Sequence, residues 1–172
     1  MDFSMNMLTA AREKHQGQGG HNYVRADAER IPFSTAVFDI VIAGLFDSIH
    51  DQASFFHEAR RILAPGGLLI VSQPNIHSAQ MVRPALGLGV AETEFHMRDG
   101  SFHRIPSVLS TPLSLDEQLA ASGFGNKHIL EVPAGETALT PRISQLVQKA
   151  AQKLGVEPSA VPLITVGFAV AS

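Results

Sequence analysis

The 172 residues contain no cysteine, which excludes a disulfide framework and any thiolate-held metal. No apolar run reaches the roughly 20 residues that a membrane helix needs; Val161 to Ala171 is apolar but about half that length. A basic segment followed by an apolar stretch is missing from the N-terminus, so no secretory signal is read and the cytoplasm is the default compartment. Charge of one sign is also lacking. The formal net charge is −3 and the Lys and Arg residues are scattered, which gives no electrostatic footprint for nucleic acid. Histidines occur without a tight ligand motif such as His-Glu-x-x-His, so no metal is assigned. Repeats and low-complexity tracts are absent.

What is present fits a folded protein. Hydrophobic residues make up 45% and charged residues 17%, and the length is that of one domain with a substantial core. Ser4 caps a helix to Lys14, with Met7, Leu8 and Ala11 at helical spacing. The glycines from Gly17 to Gly20 break it, and Asn22 to Ala26 reads as a short strand. Val37 to Ala43 is nearly continuous apolar sequence, the pattern of a strand covered on both faces. Gln52 to Leu63 is an amphipathic helix with a stripe of Phe55, Phe56, Ala59, Ile62 and Leu63. Pro65-Gly66-Gly67 stops it and turns into a second buried strand, Leu68 to Ser72. Strand, helix and strand with short connections form a βαβ unit with a parallel pair.

Beyond Asn75 the pattern loosens. Arg98-Asp99-Gly100-Ser101 reads as the turn of a hairpin between Glu94 to Met97 and Phe102 to Ile105. Ser114 with Glu117 has capping-box spacing and opens a helix carrying Leu115, Leu119 and Ala120. His128 to Val132 is a strand and Pro141 to Leu154 a helix. The stripe of that helix (Ile143, Leu146, Val147, Ala150, Leu154) is expected to pack on the sheet. Leu163 to Ala169 is a last strand.

Four short segments carry more than local structure: Asp2-Phe3-Ser4, Ala26-Asp27-Ala28, Phe38-Asp39-Ile40-Val41 and Arg60-Arg61-Ile62-Leu63-Ala64-Pro65-Gly66-Gly67. Asp2 alone is a cap, Asp27 alone a loop carboxylate, and Pro-Gly-Gly alone a helix stop. In this order and spacing they resemble the class I S-adenosylmethionine-dependent methyltransferases, especially the small-molecule enzymes of the ubiquinone/menaquinone-biosynthesis type. The resemblance is good over residues 2–75. It implies an α/β, Rossmann-like sheet, mostly parallel with an antiparallel last strand, in family order 3-2-1-4-5-7-6. The whole chain, residues 1–172, is then one domain, with 76–112 as an acceptor-side insertion.

The resemblance also implies a cofactor, S-adenosylmethionine, and positions for it. Asp2 corresponds to the acid that takes both ribose hydroxyls, and Phe3 to the apolar neighbour of the adenine. Asp27 and Ala28 correspond to the adenine-amino and ring-nitrogen contacts. Ala43, Gly44 and Leu45 correspond to the segment along the methionine portion and the transferable methyl. The expected activity is methyl transfer to a small-molecule acceptor; the alternative is a methyltransferase-like scaffold or interaction subunit that binds no cofactor.

One part of the pattern is not found. A strand with a Gly-x-Gly loop should precede Asp2, and neither the glycines at 17–20 nor Gly87-Leu88-Gly89 follows a strand as that loop must. The expectation is therefore an N-terminally truncated domain with weak or absent cofactor binding, or one completed by a homo-oligomer or a completing subunit. Methyl transfer needs mainly alignment, but His50, with Asp47 or Asp51 to orient it, is the candidate general base. The simpler role for His50 is packing at a loop-to-helix junction. His96 with Glu94 or His103 could share a metal but forms no tight ligand motif, His77 lies in the same region, and Phe95 and Phe102 are expected to fill a satellite core.

Overall fold

The computed structural model describes residues 1–17, 19–85, 87, 89–96, 100–136 and 141–171, with only the backbone at 85, 93–96, 136, 142 and 143. Helix α1 (Met5–Lys14) begins where Ser4 Oγ accepts the Met7 N–H at 3.4 Å, and it ends on Arg12 and Lys14. Cations there oppose the negative end of the helix dipole. The chain then returns beside Asp2. Asp2 N–H donates to Val24 O at 3.2 Å and Ala26 N–H to Asp2 O at 3.1 Å, a parallel bridge between Asp2 and Arg25. The strand expected over Asn22 to Ala26 is reduced to this bridge, because Asp2 is the residue that pairs with it.

The main sheet holds β1 (Phe38–Ala43), β2 (Leu63–Pro74), β5 (Phe124–Pro133) and β6 (Pro162–Ala171), in the order β1-β2-β6-β5. β1 and β2 are parallel, and β6 runs antiparallel to both β2 and β5. So β1, β2 and β5 share one direction and the last strand opposes them, as the 4-5-7-6 half of the expected sheet requires. Helix α2 (Gln52–Ile62) makes the crossover between β1 and β2.

Pro65-Gly66-Gly67 lies inside β2 and is a bulge, where the sequence reads a turn ahead of the strand. Phe38 pairs with Leu63, then Ile40 with Leu68, so residues 64–67 stand opposite Asp39 alone. Gly66 has φ +78°, and a Cβ on Gly67 would stand 2.9 Å from Ala64 O and 3.1 Å from Asp39 O. The close backbone approach demands glycine there.

The remaining elements differ from expectation in instructive ways. Residues 76–85, read as irregular, form α3 (Ile76–Ala85), started by Asn75 Oδ1 accepting the Ser78 N–H at 3.0 Å. β3 (Glu92–His96) and β4 (Phe102–Pro106) pair as the predicted hairpin; Arg98 and Asp99 of its turn lie outside the described residues. Helix α4 (Pro112–Ala121) starts two residues before the expected Ser114. Thr111 is its cap, accepting Ser114 N–H at 3.1 Å, with Pro112 opening the first turn.

The core is one cluster between α2, α4 and the sheet. It includes Phe46, Phe55, Phe56, Leu69, Leu115 and Leu119, all 3% exposed or less. A second cluster joins Val147 and Ala151 of α5 (Pro141–Leu154) to Ala134 and Val161, with Val82 of α3 against it. The apolar stripe of α5 therefore rests on α3 and the strand ends, with Leu146 37% exposed and the Ile143 side chain outside the described residues.

A buried polar knot fixes the far end of β2. Gln73 Nε2 donates to Ser110 O at 2.7 Å while its Oε1 accepts Ser110 N–H at 3.2 Å, and Asn75 Nδ2 donates to Thr165 Oγ1 at 3.1 Å and Glu131 Oε1 at 2.5 Å. Gln73, Asn75 and Thr165 are all fully buried, so the bonds among them and Ser110 satisfy groups that water cannot reach. Truncating Gln73→Ala strands both backbone groups of Ser110. We expect a loss of about 3 kcal/mol in urea unfolding; a change under about 1 kcal/mol would show that water replaces the amide.

Candidate active site

β1 is one edge of the sheet, and among the described residues no strand pairs with its outer side. Ile40 is 56% and Ile42 71% exposed, which corrects the reading of this strand as covered on both faces. An open cavity of about 690 Å³ lies along that edge, between β1 and the Asp2–Arg25 bridge. Its wall includes Asp2, Phe3, Asp27, Ala28, Ala43, Gly44, Leu45 and His50. Residues drawn from four separated segments of the sequence thus surround one space.

Each is placed by a local device. Asp2 Oδ1 accepts the Ser4 N–H at 2.8 Å, which orients the carboxylate at the start of α1. Phe3 is 67% exposed at the cavity, and the Arg25 guanidinium stands 5.6 Å over its ring with Nε–H donating to Phe3 O at 3.1 Å. Asp27 Oδ1 accepts the Glu29 N–H at 2.9 Å, the self-stabilised turn typical of aspartate. Glu29 Oε1 in turn accepts the Asp51 N–H at 2.8 Å, tying the Asp27 turn to the loop that holds His50.

The chain leaves β1 through a strained step. Leu45 has φ +53° and ψ +53°, the left-handed region that a branched side chain avoids. Its N–H donates to Ser72 Oγ at 3.1 Å, and its side chain is 56% exposed on the cavity wall. No spacing in the sequence marks Ser72; only the register that sets Ala43 opposite Val71 brings it there.

His50 is exposed on the wall, but neither acid expected to orient it is disposed to do so. Asp47 is 4% exposed and accepts Ser107 Oγ–H at 2.6 Å. Asp51 caps α2, accepting Ser54 N–H at 3.0 Å and Ser54 Oγ–H at 2.7 Å. Those bonds hold the Asp51 carboxyl below its ordinary range, with only a minor contribution from His50. Among the described residues no group of three or more His, Asp or Glu can hold a metal. Phe102 fills no core: it is 54% exposed, with Arg104 at 5.3 Å from its ring. The side chains of Glu94, Phe95 and His96 lie outside the described residues.

The floor of the cavity is braced by Glu58 and Arg61. Glu58 Oε2 accepts the Ile31 N–H at 2.8 Å, Arg61 donates to Phe33 O at 2.7 Å and Ile31 O at 2.8 Å, and the two side chains pair at 2.8 Å. Ile31 and Phe33 both line the cavity.

With this geometry in view, the comparisons with known proteins are specific. Residues 1–71 match the family described as a methyltransferase domain. A demethylmenaquinone methyltransferase of Thermus thermophilus is 32% identical over 145 residues, which is 75% of this chain and 64% of the relative. A malonyl-[acyl-carrier protein] O-methyltransferase of Enterobacter lignolyticus is 29% identical over 85% of this chain and 62% of its own length. The S-adenosylmethionine-dependent methyltransferase of Mesorhizobium loti superposes with a TM-score of 0.62 at 19% identity, covering 98% of this chain and 77% of the other. The fold is the Rossmann-like methyltransferase fold. The chain is similar to class I S-adenosylmethionine-dependent methyltransferases, and it spans just under two thirds of the length of these two relatives.

The Glu58–Arg61 brace makes an acid-stability prediction. Hydrogen bonding from Arg61, and then from Ile31, holds the Glu58 carboxyl below its ordinary value. A group depressed in the folded state stabilises fully above its unfolded pKa, and that stabilisation is lost as pH falls through the folded value. Thermal unfolding from pH 7 down to pH 2 should therefore show Glu58→Gln less stable at neutral pH by about 1–2 kcal/mol, with the gap closing in acid. A gap constant with pH would remove the carboxylate from the account.

Proposed function

We propose that this chain carries the ribose-, adenine- and methyl-facing wall of an S-adenosylmethionine site and serves methyl transfer to a small-molecule acceptor. The observation that carries this reading is the single cavity that gathers Asp2, Phe3, Asp27, Ala28 and Ala43–Leu45. The matches are to methyltransferases, and nothing in them favours a non-catalytic scaffold.

The donor set suits the cofactor. Asp2 keeps Oδ2 for a ribose hydroxyl while Oδ1 is engaged by Ser4 N–H, and a carboxylate is the side chain able to accept from vicinal hydroxyls at about 1.5–3 kcal/mol per charge-assisted bond. The exposed Phe3 ring offers an apolar face to the adenine, with Asp27 and Ala28 at its edge. Ala43, Gly44 and Leu45 form the wall along the methionine chain. When bound, S-adenosylmethionine supplies a methyl group on a positively charged sulfur that a nucleophile can take. The protein's part is chiefly to align the acceptor with that methyl. His50 stands on the wall to accept a proton from an acceptor hydroxyl, and residues 76–112 form the acceptor side.

The free edge of β1 gives this reading its further content. A strand added parallel to β1, from the same polypeptide or a second one, would bond the open backbone and close the cavity over the ligand. A homo-oligomer or a completing subunit supplies it in trans. With that edge open, the ligand is held from one side only and binding is weak.

Titration of S-adenosylhomocysteine into the ¹⁵N-labelled chain, followed by amide shifts, tests the site. We expect fast-exchange shifts at Asp2, Asp27–Ala28 and Ala43–Leu45, weakened by Asp2→Ala about tenfold, the size of one charged hydrogen bond. Shifts confined to other residues, or none at millimolar ligand, would refute the assignment.

A further inference from the structure

The sheet register brings Ser72 beside Leu45 but does not explain the left-handed conformation there. A leucine in left-handed conformation persists only where its surroundings hold it, and such residues gather at ligand sites. Here the holding group is identifiable. Leu45 N–H donates to Ser72 Oγ at 3.1 Å, and Ile49 N–H returns to Phe46 O at 2.9 Å to close the short 3-10 turn that follows. Phe46 is 2% exposed and anchors that turn in the core against Phe55 and Phe56.

Leu45 stands between the paired strand β1 and the buried Phe46. In the left-handed conformation its side chain stands on the cavity wall, 56% exposed. In the ordinary extended conformation the side chain would take another direction from the peptide that Ser72 holds. A leucine kept out of the core costs hydrophobic stabilisation, so its position calls for an apolar ligand group beside it.

We propose that Ser72 is a positioning residue: its hydroxyl holds Leu45 in the left-handed conformation that presents the leucine side chain to the thioether end of the bound nucleoside. This rests on the cofactor reading above and deepens it. Ser72 acts through Leu45 and is not on the cavity wall. The claim is separable from general stability, because Ser72 lies on β2, where its backbone pairs with Val166 whatever its side chain.

The test compares wild type, Ser72→Ala and Ser72→Thr by amide hydrogen exchange without ligand and by S-adenosylhomocysteine titration followed by amide shifts. With Ser72→Ala, the Leu45 amide should exchange about tenfold faster, as loss of one hydrogen bond implies. Amides of the β2–β6 pairing should keep their rates. The dissociation constant should rise about fivefold to twentyfold, again the scale of one hydrogen bond, and Ser72→Thr, which retains a hydroxyl, should restore both. An unchanged Leu45 exchange rate in Ser72→Ala overturns the inference, as does unchanged affinity. If the ligand shifts no amide of the wild type, the cofactor reading falls and takes the ligand half of this inference with it. The exchange comparison needs no ligand and still decides whether Ser72 holds Leu45.

Discussion

β1 has two hydrogen-bonding edges, and among the described residues only one is used. On the inner edge it pairs with β2 in a register interrupted by the Pro-Gly-Gly bulge; on the outer edge lies the cavity. Everything functional in this molecule follows from that asymmetry. The inner pairing fixes where the strand ends, and so where Gly44 and Leu45 turn out beside Ser72. The outer edge leaves Ile40 and Ile42 exposed and faces the carboxylates of Asp2 and Asp27. An apolar edge of this kind is a template for another strand, and the cofactor reading and the partner reading both hang on it.

The far side of the sheet is built differently. There, β2 and β6 are each paired on both sides and β5 pairs with β6, α4 and α2 cover the core, and Gln73 and Asn75 tie the end of β2 to Ser110 and to α3. Gly167, on β6, shows how tightly this half is packed: a Cβ there would meet Val71, Ile129 and Leu115 at 3.1–3.3 Å. A dense, polar-locked half thus supports a sparse, open one. Rigidity on the paired side allows the strained Leu45 step and the loosely bridged Asp2 segment to keep their places.

The sequence made α1, α2, α5 and the strands of the main sheet legible because their signals are local, while the α3 segment reads as irregular. Ser4 caps, the Phe55–Phe56–Ala59–Ile62 stripe recurs at helical spacing, and apolar runs mark β1 and β2. It misled where the outcome depends on neighbours. Val37 to Ala43 has the composition of a covered strand, yet burial is decided by what stands beside it. Asn22 to Ala26 has strand residues but only Asp2 to pair with. Thr111-Pro112 outcompeted Ser114 as helix start because a threonine cap followed by proline is the stronger signal. Seven candidate residues were named through ordered motifs and His50 by its place after β1, and all eight line one cavity. Ser72, Glu29 and Glu58 were invisible, since each acts through a partner at least 20 residues away that only the folded register supplies.

The central claim is that the space beside β1 is a nucleoside-sulfur site. A crystal structure of the chain with S-adenosylhomocysteine at millimolar concentration tests it most directly. The account predicts density along the outer edge of β1, with the ribose at Asp2, the adenine between Phe3 and Asp27–Ala28, and the sulfur beside Leu45. Ligand bound elsewhere, or an empty cavity in well-ordered crystals, would contradict it.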